Sequence, residues 1–372
     1  MIRLLHLADL HLGRPFRMLG ERGAAQRRAL EAALVRTVDL AVAEGVHLVL
    51  IAGDLFDSPH PSPATLDLVG RELRRLEEAQ IRIAVVAGNH DVGRDGYLGG
   101  HDRLRTACPS TIFFGPTVET VTFADLDLTV IGRSPDPGAA TSPLAGWPRG
   151  RTTRFAVGLT HGSLYRAGVV EGPGVIHPQE IRDLGLDYLA LGDWHSAAEV
   201  VGPPTPAWYA GSPELLAYDQ EGAGHVLLVE IAAPGAAQIR RQRVGRRVYR
   251  RIDLDVAAAD DSAIRRAIEA AADAETICDV TLTGLVPLDR ILNTRALEEE
   301  LADRFFRLRI TNRTQVWVDE RSLHAVSPDT VLGRYVRLMQ DKIAAASEEE
   351  RPLLEEALQM GVAVLQGREV LA

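Results

Sequence analysis

Five short clusters of carboxylate, imidazole and amide residues occur between residues 9 and 195 of the 372-residue chain, each after an apolar run. They are Asp9-x-His11, Gly53-Asp54-x-x-Asp57, Gly88-Asn89-His90-Asp91, His161-Gly162 and Gly192-Asp193-x-His195. Their oxygen and nitrogen atoms are the ligands that hard divalent cations take in proteins. Two such cations can activate water for attack on phosphorus. The ordered clusters therefore predict a site for two metal ions.

The spacing within the clusters allows two residues of one cluster to reach the same ion. Residues two apart in an extended segment point to the same side, so Asp9 and His11 can approach one ion together, as can Asp193 and His195. In open α/β sheets, ligands gather beyond the carboxyl ends of the strands. We therefore expect the five loops to converge on one crevice, with the neighbouring glycines allowing the sharp turns that this needs.

Each cluster on its own has a simpler interpretation. The first cluster is typical of a turn that caps a helix or loop, and the third is typical of turn chemistry. His161 before Gly162 is, in isolation, more often a histidine at a strand end than a ligand. The occurrence of all five clusters in one chain favours the metal site over these alternatives.

Apolar, β-rich runs precede the clusters and alternate with helical patterns, which indicates an α/β layout. The runs cover residues 2–8, 47–52, 81–87, 155–159 and 188–191, with helices near 24–44, 64–78 and 178–184. Further strands between Gly/Pro-rich turns predict a second, more antiparallel sheet. These strands are 111–114, 118–123, 126–131, 208–210 and 225–231. The prediction is a two-sheet β-sandwich flanked by helices.

The predicted organisation has three parts. Residues 1–240 form the two-sheet domain, residues 249–323 form a small α/β capping domain, and residues 327–372 form a C-terminal helical hairpin. In the hairpin, Ser347 with Glu350 three positions later predicts a capping box, and the second helix is expected to end near Gly367. The apolar stripes of the hairpin must be buried, against the protein itself or against a partner.

The charge and the cysteines limit the function classes. A formal net charge of −10 argues against a general nucleic-acid coat, because such binding uses basic surface. Arginines are nevertheless concentrated at positions 240–251, where a backbone-phosphate contact strip and a solvated, partly strand-forming face are equal alternatives. The two cysteines lie far apart and outside every cluster, so neither a disulfide framework nor a thiolate metal site is predicted.

No segment of the sequence predicts contact with a membrane. No apolar stretch reaches the roughly 18 residues of a membrane span. The first strand and the first cluster begin almost at once, so we expect no signal peptide and a cytoplasmic location.

The five ordered clusters resemble those of the calcineurin-type metallophosphoesterases. Residues 5–13, LHLADLHLG, are similar to the opening segment of the SbcD-like DNA repair exonuclease branch. The small α/β unit and the terminal hairpin resemble those of SbcD and YhaO-type proteins, so the resemblance covers most of the chain. It implies the metallophosphoesterase-like αββα fold.

The resemblance also implies a role for each candidate residue. Seven side chains are implied as metal ligands: Asp9, His11 and His195 for the first ion, Asp54 as the bridge, and Asn89, His161 and Asp193 for the second ion. His90 is implied to contact the scissile phosphate or to protonate the leaving oxygen.

One position departs from the family pattern. The family usually carries Gly-His-x-His at the fourth metal segment, whereas this chain has Gly192-Asp193-Trp194-His195. A carboxylate is still a competent ligand for Mn²⁺ or Mg²⁺, but it adds negative charge and favours a harder metal. We therefore expect an active site with an altered affinity for the second ion.

The resemblance implies a Mn²⁺-dependent phosphodiesterase that hydrolyses DNA, as an exonuclease with some endonuclease capacity, by two-metal activation of water. Mg²⁺ or another divalent ion is the alternative to Mn²⁺. The implied partners are DNA and an SMC-like ATPase in DNA repair, and a homodimer is left open. Two other functions remain open: a nucleotide or small-phosphoester phosphatase, because the metal centre does not fix the leaving group, and a non-catalytic scaffold that binds DNA ends, because of Asp193.

Other polar and aromatic residues have structural interpretations. His6 lies an odd number of positions from Asp9, so we expect it to face away from the ligands as a buried, hydrogen-bonded histidine. Asp57 is expected to orient its loop or cap the next helix, while His101 could reach substrate. Three isolated aromatic residues are expected to pack, with stacking on bases as the alternative: Tyr97, Trp147 and Trp194.

Overall fold

The computed structural model describes residues 1–93, 95–136, 139–172, 174–217, 220, 222–287, 292–317 and 327–365. The chain forms two compact units, Met1–Val248 and Tyr249–Ala372. Parts of the predicted capping domain and hairpin lie outside the described residues, including 318–323 and 366–372 with the predicted helix end near Gly367.

The first unit contains two six-stranded sheets. Its strands are β1 Ile2–Leu7, β2 Leu48–Ala52, β3 Arg82–Val86, β4 Ile112–Phe113, β5 Glu119–Phe123, β6 Leu128–Arg133, β7 Phe155–His161, β8 Tyr188–Gly192, β9 Ala198–Val201, β10 Ala207–Tyr209, β11 His225–Ile231 and β12 Ala237–Arg243. The first sheet has the order β12-β11-β1-β2-β3-β4, and the second has the order β5-β6-β7-β8-β10-β9. Strands β1 to β4 pair in parallel, as do β6, β7, β8 and β10, whereas the remaining pairs are antiparallel.

Helices pack on the outer faces of both sheets. They are α1 Gly23–Glu44, α2 Pro63–Glu78, α3 Gly99–Ala107 and α4 Pro178–Leu184, with short 3-10 helices at Arg17–Arg22 and Ala124–Leu126. Alternate residues of β1 point to opposite faces, so Leu5 packs with α1 and α2 while Leu4 packs between the sheets. Ile181 of α4 packs on the second sheet. The resulting layers are helix, sheet, sheet and helix, which confirms the predicted fold class.

The predicted assignment of strands to sheets was partly wrong. Strands β4 and β11, predicted for the second sheet, pair in the first, while β7 and β8 lie in the second sheet. The central pairs of the second sheet are parallel rather than antiparallel, and β9 and β12 were not predicted. An apolar strand pattern records which faces are buried, but it does not record which strand lies beside it.

The arginine-rich segment is partly a strand. β12 is an edge strand of the first sheet, and Arg240, Arg241 and Arg243 on it are exposed. Arg241 Cζ lies 5.4 Å from the centroid of the Trp208 ring. Arg247 is buried, and its Nε donates to Gln26 Oε1 at 3.2 Å. The segment thus forms a charged, strand-bearing face.

The second unit contains a small α/β core and a helical hairpin. Its elements are β13 Val248–Asp255, α5 Asp261–Glu269, β14 Thr276–Thr283, β15 Leu285–Pro287, α6 Thr294–Leu301, a 3-10 helix Ala302–Arg304, β16 Arg307–Asn312, β17 Gln315–Trp317, α7 Val331–Ala345 and α8 Arg351–Leu365. The three-stranded sheet has the order β13-β14-β16. Before α8, the Ser347 N–H donates to Glu350 Oε2 at 3.2 Å and the Glu350 N–H donates to Ser347 Oγ at 3.4 Å, which is the predicted capping box.

None of the described helices combines the length and apolar character that a membrane crossing would need.

Candidate metal centre

The five clusters lie in the loops that follow β1, β2, β3, β7 and β8, at the carboxyl ends of these parallel strands. Backbone hydrogen bonds tie the loops together. The Asp9 N–H donates to the Gly53 carbonyl at 3.0 Å, and the His11 N–H donates to the Asp54 carbonyl at 2.9 Å. The Gly162 N–H donates to the Gly192 carbonyl at 3.1 Å. The loops of both sheets therefore meet at one edge of the sandwich.

Side-chain ligand atoms converge at this edge. Three sets each bring ligand atoms within 4.8 Å of one another: Asp9 with His11 and His195, Asp9 with Asp54 and His161, and His11 with Asp57 and His90. His11 Nε2 lies 3.2 Å from His195 Nε2 and 3.4 Å from Asp54 Oδ2. Since imidazole nitrogens and carboxylate oxygens that share a centre suit one cation, this donor set fits a metal ion.

The other candidate ligands surround His161. Its Nε2 lies 2.8 Å from Asn89 Oδ1, 3.7 Å from Asp54 Oδ2 and 3.8 Å from Asp193 Oδ1. Its Nδ1 lies 3.0 Å from the Ala52 carbonyl oxygen, so an Nδ1–H donated there leaves Nε2 free to bind a metal. All seven predicted ligands are therefore brought together, and two sets of donors are available for two ions.

Burial makes this edge strongly dependent on compensating positive charge. Burial, together with repulsion from Asp54 and Asp193, raises the pKa of Asp9 well above its usual range. Burial also raises the pKa of Asp54. Although burial opposes it, the carboxylates of Asp54, Asp9 and Asp193 raise the pKa of His161. Divalent cations would supply the positive charge that these buried carboxylates need.

His195 is uncharged in this surrounding. Burial, with the neighbouring His11 ring and the Arg14 guanidinium, lowers the pKa of His195 to about 4. A neutral imidazole keeps a lone pair for a metal. Gln220 Nε2 lies 2.7 Å from His195 Nδ1 and holds the ring from its far side.

Backbone strain is concentrated at the candidate ligands. Asp9, His11, Asp54 and Asp193 have positive φ angles of 53°, 47°, 50° and 111°. Non-glycine residues rarely adopt this region, and such strain persists where the surrounding structure enforces it, often at active sites. At Gly192, a Cβ atom would collide with the Ala52 carbonyl oxygen, so this position must be glycine for the loops to approach. The strain supports a functional role for this edge.

Asp91 connects two of the loops, a role that the sequence prediction missed. Its carboxylate accepts hydrogen bonds from the N–H groups of Leu55 at 3.2 Å, Phe56 at 2.8 Å and Gly88 at 2.9 Å. His101 Nε2 lies 3.3 Å from Asp91 Oδ2, and both side chains are buried. The buried ring of His101 supports Asp91, so the structure does not favour the alternative that His101 reaches substrate. The only signal in the sequence was the position of Asp91 beside the cluster Asn89-His90.

Asp57 and Ser163 hold candidate ligands in place. Asp57 Oδ1 lies 3.3 Å from His11 Nδ1, whereas α2 is capped by Ser62, so Asp57 orients a ligand rather than capping the helix. The Ser163 hydroxyl donates to Asp193 Oδ2. The sequence analysis did not identify Ser163, although it directly follows the cluster His161-Gly162.

His6 is placed as predicted, behind the centre. Its ring is fully buried, and Nδ1 lies 2.8 Å from the Tyr188 hydroxyl oxygen. Burial lowers the pKa of His6 to about 3. The side chain is therefore uncharged and structural.

A cavity of about 270 Å³ opens beside Asn89, His161 and Asp193. Arg133 and Ser163 also line it. The centre is thus accessible to a ligand on the Asn89 and Asp193 side.

A family model described as calcineurin-like phosphoesterase matches residues 2–197, more than half of the chain. The chain belongs to this family. The match includes all seven candidate ligands and His90, and it confirms the predicted class of enzyme, a metal-dependent phosphoester hydrolase with a dimetal centre.

Curated relatives confirm the predicted branch of the family. The chain is 28% identical to YhaO of Bacillus subtilis, described as an uncharacterized metallophosphoesterase, over 62% of this chain and 57% of YhaO. It is 33% identical to the DNA double-strand break repair protein Mre11 of Saccharolobus solfataricus over 28% of this chain and 26% of that protein. It is 32% identical to SbcD, one of the subunits of the nuclease SbcCD of Escherichia coli, over 24% of this chain and 21% of that protein. The chain thus spans little more than half the length of YhaO and less of the other two.

Two solved structures align with part of this chain at low sequence identity. TT1561 of Thermus thermophilus is 14% identical, with a TM-score of 0.42, covering 65% of this chain and 99% of that chain. A dimetal phosphatase from Danio rerio is 10% identical, with a TM-score of 0.38, covering 64% of this chain and 98% of that chain.

Proposed function

We propose that the protein is a Mn²⁺-dependent phosphodiesterase that hydrolyses DNA, as an exonuclease with some endonuclease capacity, in DNA repair. The observation that carries the reaction type is the convergence of seven metal-ligand side chains from five loops in a phosphoesterase fold. The choice of DNA is supported by the relatives, since Mre11 is described as a DNA repair protein and SbcD as a nuclease subunit.

In this proposal each ligand has a defined place. One ion would be held by Asp9, His11 and His195, the other by Asn89, His161 and Asp193, and Asp54 would serve both. When bound, a pair of divalent cations activates water and neutralises the charge on the phosphoryl oxygens. Carboxylate, imidazole and amide donors suit Mn²⁺ and also admit Mg²⁺.

We assign to His90 the role of proton donor to the departing oxygen, and its contacts support this assignment. Its backbone N–H donates to Asp54 Oδ1 at 2.8 Å, which places the residue directly beside the bridging ligand. Its ring is half-buried and lies 4.5 Å from the ring of His11. Nδ1 is near the Asp57 carbonyl oxygen, at 3.4 Å, so Nε2 is the nitrogen available to a substrate. Acid catalysis by such a group contributes about 10²- to 10⁴-fold.

The test compares three substrates in Mn²⁺: end-labelled duplex DNA, single-stranded DNA and an aryl phosphate. We expect the full chain to bind two Mn²⁺ ions and to cleave DNA. His90→Ala should lower turnover by about 10²-fold or more while both ions still bind. His47→Ala, a histidine at the amino end of β2, is the matched control and should keep full turnover. Hydrolysis of the aryl phosphate alone would replace the nuclease by a phosphatase, and equal rates for His90→Ala and the wild type would remove the role of His90.

The hairpin α7–α8 supports a proposal for an SMC-like ATPase partner. Val336, Met339, Leu358 and Val362 pack between its helices, yet other apolar side chains of the same helices remain exposed. These are Val331 at 72%, Leu338 at 55%, Leu353 at 70% and Val364 at 60%. Exposed apolar positions on a helix pair suit a helix-in-groove contact.

Truncation after Val326 should abolish co-purification with a co-expressed ATPase of this class, and undiminished co-purification would remove the partner. Homodimer formation stays a prediction.

A further inference from the structure

Trp194 is an exposed aromatic residue in the last of the five ligand clusters. It stands between the candidate ligands Asp193 and His195 and is 42% exposed. Trp147, by contrast, is buried, and its Nε1–H donates to the Pro143 carbonyl at 2.9 Å. The expectation that isolated aromatics pack therefore holds for Trp147 and fails for Trp194. An exposed aromatic ring offers a face on which a base can stack.

The backbone fixes Trp194 on both sides. The Asp193 N–H donates to Asp9 Oδ1 at 3.0 Å, and the His195 carbonyl accepts from the Ser212 N–H at 2.9 Å. Adjacent Cα atoms are about 3.8 Å apart, so the indole begins within one residue of two candidate ligands. Its position relative to the centre is thus set by the same bonds that set the ligands.

Arg166 lies over the Trp194 ring. Its Cζ atom is 4.1 Å from the ring centroid. Arg166 and Val170 exchange backbone hydrogen bonds of 2.9 Å and 2.8 Å, so this arginine sits on an ordered turn. No carboxylate pairs with its guanidinium within the part of the chain that the structure describes. The positive charge of Arg166 also acts at the centre, since it opposes the rise that burial causes in the pKa of Tyr209, whose hydroxyl donates to the Gly162 carbonyl.

We propose that Trp194 and Arg166 form a nucleotide platform, in which the indole stacks on the base beside the scissile phosphate and the guanidinium binds a backbone phosphate. The platform rests on the proposed action on DNA and adds the residues that hold the strand. Every base has a π-face, so stacking serves all sequences. A guanidinium offers paired donors to phosphate oxygens.

A simple surface pair is the alternative to the platform. An exposed cation–π contact contributes little to stability. Such a contact would contribute to the ordering of the turn and would leave DNA affinity unchanged. The platform and the simple surface pair therefore predict different effects on DNA affinity, which a measurement of protein stability would not reveal.

The experiment is a double-mutant cycle in which the Trp194 ring, the DNA base, or both are removed. The full chain cleaves a single-stranded oligonucleotide in Mn²⁺, and a series of oligonucleotides carries one abasic residue at successive positions around the cleaved bond. Trp194→Ala should lower kcat/KM on the intact strand by about 10-fold, mainly through KM. The abasic residue at the stacked position should lower kcat/KM of the wild type by a similar factor. In Trp194→Ala, the same abasic residue should cause no further loss of kcat/KM.

Several variants separate the platform from a structural effect. Trp194→Phe should retain most of the wild-type kcat/KM, because it keeps a ring. Arg166→Ala should weaken binding and reduce the salt dependence by about one phosphate contact. Arg154→Ala is the matched control, since Arg154 lies 5.1 Å over Phe155 at the opposite end of β7 and should have no effect. Mn²⁺ affinity should be unchanged in all four variants.

The outcomes are distinguishable. Loss of the abasic effect in Trp194→Ala, with Mn²⁺ binding intact, supports the platform. The platform is overturned if Trp194→Ala and the wild type have equal kcat/KM, or if the losses caused by Trp194→Ala and by the abasic residue simply multiply. In either case, DNA cleavage by the wild type still supports the nuclease. A wild-type protein that binds Mn²⁺ but neither binds nor cleaves DNA overturns both.

Discussion

The candidate metal centre has a buried half and an open half. The buried half consists of Asp9, His11, Asp54 and His161, each at most 2% exposed. The open half consists of Asn89, His90, Asp193 and Trp194; the side chain of Asp193 is 28% exposed, and Trp194 is 42% exposed. We infer that the two halves have different roles. Burial concentrates the charge that retains cations, whereas exposure leaves room for a phosphate and its leaving group.

The two halves are also held differently. Main-chain hydrogen bonds hold the Asp9 and His11 loop of the buried half, and strained backbone occurs in both halves, at Asp9, His11 and Asp54 and also at Asp193. Side-chain contacts fix the open half, through Asp91 beneath the Asn89 loop and through Ser163 on Asp193. Substitutions in the buried half should therefore lower metal affinity and turnover together. Substitutions in the open half should change one of these two quantities more than the other.

The largest effect is expected from Asp54→Asn in the buried half. The change removes the charge of the bridging candidate, so we expect Mn²⁺ binding at both positions to weaken. Turnover should fall by more than about 100-fold, since even the outer partners of metal ligands are worth about 10- to 100-fold. Calorimetric titration with Mn²⁺ and a DNA cleavage assay measure the two effects.

A matched control for Asp54→Asn is Asp187→Asn. Asp187 is equally buried, but it accepts from the Ala156 N–H at 2.8 Å, at the amino end of β7. This variant should lose stability and keep its Mn²⁺ affinity. Normal binding of two Mn²⁺ ions by Asp54→Asn would contradict the division into halves.

The next effect is expected from Asp91→Ala, which removes the connection between the Asp54 and Asn89 loops. The variant leaves three backbone N–H groups and His101 without their buried acceptor. The free energy of unfolding should fall by about 3 kcal/mol, as for other broken buried pairs. Urea denaturation measures the change. A loss below about 1 kcal/mol would show that the open half is supported by other contacts.

A smaller effect is expected from Ser163→Ala in the open half. Asp193 would lose the hydroxyl that orients its carboxylate, so the second Mn²⁺ should bind about 10-fold more weakly while the first is unchanged. Ser163→Thr keeps the hydroxyl and should restore the affinity. Calorimetric titration separates the two ions, and equal weakening of both would argue against separate sites.

The smallest effect concerns His6, which is buried like His161 but lies away from the carboxylates. Burial lowers the pKa of His6 to about 3. Between about pH 6.5 and pH 3 the unfolded chain binds a proton that the folded protein does not, so this histidine makes stability fall as pH falls. His6→Gln should remove about 1 kcal/mol of the stability loss between pH 7 and pH 5.5. Denaturation curves at the two pH values measure it, and an unchanged pH dependence would contradict the assignment.

The sequence was most informative where candidate ligands lie close together in the chain and directly follow a strand. Asp9 and His11, or Asp193 and His195, are close in sequence and follow apolar strands, so their convergence could be predicted from strand geometry. The layers of the sandwich followed in the same way from apolar periodicity. These inferences use only local spacing.

The parts that were missed depend on contacts distant in sequence. The pairing of β11 with β1 joins residues such as Leu4 and Val229, and no local pattern encodes it. The roles of Asp91 and His101 arise from a buried contact, and the contact of Trp194 with Arg166 joins residues 28 positions apart (194 − 166). Such features require the folded chain.

The contact between His11 and His195 joins residues 184 positions apart. During synthesis, the ribosome releases the first of these histidines long before the second. A nascent chain that ends before residue 195 lacks one of these two rings, so it cannot hold a cation between them. Any metal binding that needs both rings would therefore follow the synthesis of the last ligand cluster.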